Sequence, residues 1–451
     1  MFKISKGLDI PIKGKPKQIL AAEKLTADTF AVTTSSYNNL RPYMAVEVGQ
    51  KVAKGEALFW DKLNSAVKYV SPCSGKVIAI NRGDKRALIS VVVKSDNQNK
   101  TTTFDIPKQL SNISRQQVVD LLAASGEWLA FRERPFNTVP PTDYQADAIF
   151  VNCMDSNPLA PSPSIAINEH KAHFLKGLRV VCKLTKGKVY INTAPALNLE
   201  NDLDNELRNA IKVSQFIGPH PAGLTGTHIA QLHPISEKTK LLTINYQDLL
   251  AIGALFATGV ISTDRIIAIA GPHVKKPQLY RTDWGAQCST LLDGLLKEGG
   301  CRVIAGSILN GVIAEKGNDF LCRSHNQISV LPVSQQRKFL HYLTLGGNRF
   351  SSFPIYTSHL NKSKEWDFDT STNGSDRSMV PIGLFENIMP LDILPTQLLR
   401  ALITGDTEQA QLLGCLELAE EDLALCTYVC PGKYDYGLAL RAVLKKIAAG
   451  E

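Results

Sequence analysis

Between residues 111 and 260 the hydrophobic pattern changes period again and again. Short runs rich in β-branched and aromatic residues, "DAIFVNC", "KVYIN", "KVSQFIG" and "LLTIN", alternate with stretches whose apolar residues recur three and four positions apart. Ser114 with Gln117 is a capping-box signature. It opens "SRQQVVDLLAASGEWLAFR", in which Val118, Leu121, Leu122 and Leu129 fall on helical spacing, and the Pro-rich "RPFNTVPPTD" ends that helix. The same periodicity predicts helices over about 168–184, 202–211 and 246–259. Parallel strands need a long crossover and a helix supplies one, so this alternation demands a mostly parallel sheet with helices on its faces and Rossmann-like wrapping.

The flanking regions obey other rules. Residues 1–105 read as an all-β unit built from "FAVTT", "AVEV", "ALFW", "VKYVSP", "KVIAINRG" and "ALISVVVK", separated by Gly, Pro, Asn and Lys turns. Within it Gly49, Val52, Gly55, Pro72, Gly75 and Val77 reproduce the turn spacing of biotinyl and lipoyl carriers, which resembles a barrel-sandwich hybrid. Asn64 stands where a carrier has its modifiable lysine, with Lys62 and Lys68 nearby. An amide is not acylated as an amine is, and a scaffold without a swinging arm is expected. From 261 the order "RIIAIAG", "QLYRT", a helix across "AQCSTLLDGLL", then "RVIAGSILNG" suggests a small ubiquitin-like unit of the SLBB type, bounded at 261–335. "QISVLPV" is the clearest strand of the mixed stretch that follows, and 336–394 connects it to a helical bundle at 395–451. The bundle comprises "TQLLRALITG", then "TEQAQLLGCLEL" opened by Asp406 and Gln409 as a second capping box, then "EEDLALCTYV" and "YGLALRAVLKKIAAG".

Such a division suits the length, since 451 residues exceed what one core organises. The net charge of +8 is concentrated at the N-terminus, where residues 1–100 hold 17 Lys and Arg against 8 Asp and Glu. These cations are scattered among acids and turns without interleaved aromatics, a pattern that speaks against nucleic acid and for a basic face meeting an acidic partner or anionic lipid. "MFKISKGLDIPIKGKPKQ" is interrupted by Lys and Pro throughout and lacks a signal-peptide layout, so a cytoplasmic protein is expected. The most apolar window, "LLAIGALFATGVIS", is short of the about 20 residues that cross a bilayer, which limits membrane attachment to a peripheral one. Nine cysteines, an odd number spread over a long chain, read as buried thiols.

Common site signatures are absent: there is no phosphate loop, no His-Glu-x-x-His, no nucleophile elbow and no dinucleotide fingerprint. "GPHPAGLTGTH" is the nearest to one. Gly218, Gly223 and Gly226 lie between a strand and an expected helix, where backbone N–H groups approach an anion or a flat ring. His220 and His228 flank this loop and His233 follows, at a spacing that fits no zinc pattern. The loop reads either as a structural turn with hydrogen-bonded histidines or as a binding loop. "STNGSDRSMVPIG" contains the turn formers Asn373-Gly374 and Ser375-Asp376 beside Arg377, Met379 and Val380; it reads as a tight turn satisfied by Asp376 and Arg377, or as an interface. Near the C-terminus Cys426-x3-Cys430-Pro431 ends as a ferredoxin cluster run ends. Counting back, the other two ligand positions hold Leu423 and Glu420, and Cys415 is the one further thiol nearby. The run is expected to be a vestige packed in the bundle.

Taken together, "KGLDIPI", "SPCSGKVIAINRG", "AIFVNCMDSNPLA", "GPHPAGLTGTH", "DTSTNGSDRSMVPIG" and "EEDLALCTYVCPGKYDYG" resemble the NqrA family of the Na+-translocating NADH:quinone oxidoreductase over nearly the full length. That family is similar to the C subunit of the Rnf complex and to the flavin-bearing subunit of respiratory complex I, which keep cluster cysteines in their C-terminal helices. The resemblance implies a peripheral subunit on the cytoplasmic face of the bacterial inner membrane, within a six-subunit complex that oxidises NADH, reduces ubiquinone and exports Na+. It further implies that NADH, FAD, FMN and [2Fe-2S] chemistry belongs to partner subunits, with no redox cofactor on this chain. Its link to ubiquinone makes His220, Gly223, Gly226, His228, Asp376 and Arg377 the candidate quinone or partner contacts. An independent flavin- or NADH-dependent oxidoreductase is the alternative, and a carrier module modified on Lys62 or Lys68 a further one.

Overall fold

The computed structural model describes residues 1–450 except 108, 237–238, 316, 335–342, 353 and 362. Part of the expected connecting segment, 336–342, therefore lies outside the described residues. Two small sheets form the N-terminal barrel-sandwich hybrid. One has the order Thr29–Thr33, Leu88–Ser95, Gly75–Arg82, Lys51–Val52, and the other Pro42–Met44, Ala57–Asp61, Asn64–Val70. Val32, Val77, Val91 and Val93 from the first enclose a core with Leu58, Phe59, Val67 and Tyr69 from the second. The strand expected at "AVEV" is instead Pro42–Met44, which pairs with Phe59–Asp61. Two further strands leave this unit: Phe2–Lys3 extends the α/β sheet and Lys17–Lys24 extends the sheet beyond it.

The α/β sheet runs Phe2–Lys3, Ile211–Ile217, Val189–Thr193, Ala148–Cys153, Leu241–Asn245, Arg132–Arg134, parallel except for the last strand. Alternation along Ala148–Cys153 assigns the faces. Ile149 and Val151 share a core with Phe174, Leu178, Leu249 and Ile252, whereas Phe150 turns to Ile229 and Tyr190 on the other side. The first face is covered by helices Lys171–Cys182 and Tyr246–Thr258, the second by Thr225–Leu232. The capping box at Ser114 is present with both of its bonds, and Asp406 accepts from the Gln409 N–H at 3.0 Å. One expected helix is two, Pro163–Glu169 and Lys171–Cys182, because His170 between them has non-helical φ −122° and ψ 39°. The expected 202–211 helix is confined to Asn205–Ala210 behind its Asp204 cap.

The third sheet, of the SLBB domain, has the order Val312–Ile313, Cys301–Ala305, Gln327–Pro332, Asp264–Ala270, Gln278–Asp283, Lys17–Lys24. The helix expected across "AQCSTLLDGLL" shrinks to Cys288–Leu291, followed by turns. Helices Leu384–Ile388, Pro395–Thr404, Thr407–Leu412, Ala424–Val429 and Tyr436–Ala449 gather around Phe385, Leu398, Leu402, Leu418, Leu440 and Leu444. "TEQAQLLGCLEL" does not form one helix: it stops at Leu412, and Gly414 adopts φ +92°.

One buried ion cluster joins two of these units, and one close helix pair locks the α/β domain. Arg323 and Arg265 of the SLBB domain both reach Asp248 Oδ1 at 2.7 Å, and Arg323 also pairs with Glu127. All four side chains are at least nine-tenths buried. Helices Lys171–Cys182 and Tyr246–Thr258 meet almost backbone to backbone, since a Cβ on Gly253 would lie 1.8 Å from the His173 carbonyl oxygen. Replacing Arg323 by Met leaves two buried carboxylates with one guanidinium, and a loss of about 3–5 kcal/mol is expected as a lowered thermal midpoint. Combining it with Glu127→Gln recovers part of that loss in the same melt. Gly253→Ala forces the two helices apart and is expected to cost about 1–3 kcal/mol, read by the same measurement.

Candidate functional site

Sequence order in the α/β sheet reverses between Ala148–Cys153 and Leu241–Asn245: successive strands proceed from the former toward one edge, then return to its other side. Loops leaving neighbouring strands at such a point diverge to opposite faces, and a crevice opens at their carboxyl ends. A cavity of about 390 Å³ lies there. Asn152 and Asn245, register partners at the strand ends, line it together with Asp155 and Tyr246, the latter on the first turn of its helix.

The glycine loop forms one wall through Gly223, Leu224 and Thr225. Asn152 Nδ2 donates to the Gly223 carbonyl at 2.9 Å and to Thr225 Oγ1 at 3.2 Å. Ser156 Oγ receives the Gly223 N–H at 2.8 Å and lies 3.1 Å from His220 Nδ1. His228 Nε2 is 2.9 Å from the Ala222 carbonyl, so that nitrogen carries the proton and donates. Both rings are buried, and desolvation takes each imidazole down to about 4, leaving them neutral at pH 7. His220 and His228 thus brace the loop from behind, and His233 closes the helix that follows. Gly226 has no room for a side chain, because a Cβ there would stand 2.3 Å from the Asp422 carboxylate.

That contact brings the C-terminal bundle to the cavity, whose rim includes Glu420 and Glu421. Glu420 receives Asn38 Nδ2 at 3.2 Å, Asn137 Nδ2 at 2.9 Å and Arg441 Nε at 2.5 Å. Arg134 donates to the Glu417 carbonyl at 2.5 Å and lies 4.0 Å from Asp422. Leu423, at the other position counted back from the cysteines, is core. Cys415, Cys426 and Cys430 are all buried, with Cys430 Sγ 3.1 Å from Tyr436 Oη. Burial pushes the Cys415 thiol up to about 12 and Cys426 upward as well, which keeps both protonated. Among the described residues no three His, Cys, Asp or Glu side chains are grouped as a metal site.

Of the residues singled out in the sequence, Gly223 lines the cavity, while Gly226, His220 and His228 support that wall. Asp376 and Arg377 sit on a separate exposed stretch after the bend at Asn373-Gly374, tied to the bundle by the Arg377 N–H to the Gly432 carbonyl at 3.3 Å. Asn64 at the barrel hairpin donates to the Pro140 carbonyl, and Lys68 lies 4.0 Å from the Trp60 ring centre. Asn152, Asp155, Asn245, Tyr246 and Glu421 are not picked out by their spacing. For the first four the signal is positional: "VNCMDSN" and "TINYQD" each run over the end of a parallel strand, and Glu421 has none.

Three family models match: the NqrA N-terminal barrel-sandwich hybrid domain at residues 2–96, the NqrA second alpha/beta domain at 113–261 and the NQRA C-terminal domain, an SLBB model, at 266–316. Curated relatives, each the NqrA component of a Na(+)-translocating NADH-quinone reductase, are similar over 99% of both chains. They include those of Hahella chejuensis at 48% identity, Saccharophagus degradans at 47% and Neisseria meningitidis at 46%. Among solved structures, an NAD+-reducing [NiFe]-hydrogenase in the air-oxidized state covers 52% of each chain with a TM-score of 0.36 and 13% identity, too slight a likeness to carry an argument. With relatives this similar from end to end, the chain belongs to the NqrA family of Na+-translocating NADH-quinone reductase subunits.

Proposed function

We propose that this chain serves as a peripheral subunit of a Na+-pumping NADH:ubiquinone reductase, docked with the other subunits of a six-subunit complex on the cytoplasmic face of the bacterial inner membrane. The observation that carries this reading is identity of 46–48% over 99% of curated NqrA chains, which leaves no domain unaccounted for. In this reading the chain supports ubiquinone reduction coupled to Na+ export and holds no redox cofactor of its own, while NADH, FAD, FMN and [2Fe-2S] are bound by its partners. Three properties agree with it. Among the described residues no helix is long and apolar enough to cross a membrane. Glu420 and Leu423 occupy the places of two cluster ligands and are committed to packing and hydrogen bonds. The excess of positive charge in residues 1–100 suits attachment near an anionic surface.

Quinone or partner contact is assigned, as part of the same proposal, to the loop from Gly218 to His228. Its outer side presents Ile217, 45% exposed, and Gly218, while its inner side is braced by Ser156, His220 and His228. A rigid backbone with an exposed apolar residue can meet a flat ring. Asp376 and Arg377, exposed on their own stretch, are taken as contacts to another component of the complex.

Affinity capture from detergent-solubilised membranes, with this chain as bait, is expected to retain integral flavoprotein subunits; recovery of the chain by itself would favour the independent oxidoreductase instead. Photolabelling of the assembled complex with an azidoquinone is expected to mark the peptide containing residues 218–228, and labelling confined to peptides distant from it would remove the loop assignment.

A further inference from the structure

The cavity at the strand ends is lined by more charge than a structural void needs, and most of that charge is already committed. Arg323 and Asp248 belong to the buried quartet. Arg132 donates to the carbonyls of Leu129, Phe131 and Ser36. Arg134 gives one N–H to the Glu417 carbonyl and keeps a buried Nε without a partner, while Glu420 is spent on Arg441, Asn38 and Asn137. Two carboxylates remain. Asp155 receives the Asn157 backbone N–H at 2.9 Å, the Asn157 amide at 3.0 Å and the Asn326 side chain but no cation, and Glu421 makes neither a hydrogen bond nor an ion pair among the described residues.

Buried neutral groups aim at the same space. Tyr246 is 2% exposed, lines the cavity, and its hydroxyl has no partner; Asn157 Oδ1 and His325 Nδ1, also on the lining, are unpartnered as well. Each such group left without a bond costs about 1–3 kcal/mol. Against the free Arg134 Nε stand the Glu421 and Asp155 carboxyl oxygens, Asn157 Oδ1 and the Tyr246 hydroxyl oxygen, so what complements this set is a further donor bearing positive charge. The volume of about 390 Å³ suits a small molecule rather than a bare ion. The absence of any three clustered metal-ligating side chains among the described residues points the same way.

We propose that this cavity binds a small organic cation, its ammonium group received by the carboxylates of Glu421 and Asp155 and by the Tyr246 hydroxyl oxygen. The site does not depend on the chain's place in a larger complex. Binding is coupled to a proton. Burial first, and then the neighbouring Asp422, push Glu421 up to about 8, with Glu420 and Asp155 adding to the rise and Arg134 opposing it. At pH 7 the Glu421 carboxyl is therefore mostly protonated in the empty cavity. An arriving ammonium favours the ionised form, so the proton leaves as the cation enters, and apparent affinity rises from pH 7 to pH 8.5. An alkyl diamine keeps its charge across that range, its amines titrating near the roughly 10.4 of lysine.

The test is isothermal titration calorimetry of the full chain with 1,4-diaminobutane, using 1,4-butanediol as a neutral probe of the same length. The expected result is saturable one-to-one binding of the diamine, tighter at pH 8.5 than at pH 7, with heats that vary with buffer ionisation enthalpy. The diol does not bind. Glu421→Gln weakens diamine binding by about tenfold or more and abolishes the proton release, without lowering the thermal midpoint. Tyr246→Phe is a second, milder variant and weakens binding by about threefold or more. Absence of diamine binding at millimolar concentration, equal binding by the Glu421→Gln chain, or equal binding of the diol would each overturn the proposal.

Discussion

Arg323 stands where the SLBB domain meets the α/β domain. Its guanidinium spans Glu127, on the turn after the first helix of the α/β domain, and Asp248, on the first turn of another helix in that domain, while Arg265 contacts Asp248 from the neighbouring SLBB strand. The Gly126 carbonyl accepts from the same guanidinium at 3.1 Å. Taking four charges out of water is costly, and in the interior attraction between opposite charges returns about what desolvation removes. The gain is directional. Apolar faces slide over one another at little cost, whereas two arginines and two carboxylates with fixed bond directions accept one arrangement. Tyr246, two residues before Asp248 on the same first turn, is held close to this junction.

The C-terminal bundle closes the same region from the other side. Asp422 packs on Gly226, Arg134 reaches back to the Glu417 carbonyl, and Glu420 gathers donors from the barrel at Asn38, from the α/β domain at Asn137 and from its own bundle at Arg441. Glu420 is thereby a hydrogen-bonded hub. A carboxylate accepts several bonds at once, and at a junction of three surfaces that capacity holds them in register.

Much of this architecture is legible in the chain itself. The capping box at Ser114, the Gly and Pro turns of the barrel and the alternation of periods from 111 to 260 each report local backbone preference, and each leads to an element that is present. Errors fall where tertiary context overrides the local signal. "TEQAQLLGCLEL" has helical spacing but bends at Gly414 to fit its neighbours, and the 168–184 stretch breaks at His170. The glycine loop is conspicuous because glycine marks close backbone approach. Asp155 and Glu421 are not, since nothing in "CMDSN" or "AEEDL" announces that residues 266 positions apart line one cavity.

Sequence alone determined the element types, the four-part organisation and the family, because local periodicity and motif order are properties of residues a few positions apart. Tertiary structure alone decided where the unspent charges lie. Whether a carboxylate is paired, solvated or stranded depends on groups brought to it from distant parts of the chain, and Glu420 and Glu421 make the point as neighbours of identical chemistry. One is bound by three donors and the other faces the cavity with none among the described residues, a difference set by the direction each side chain takes from its turn into the space the other domains leave.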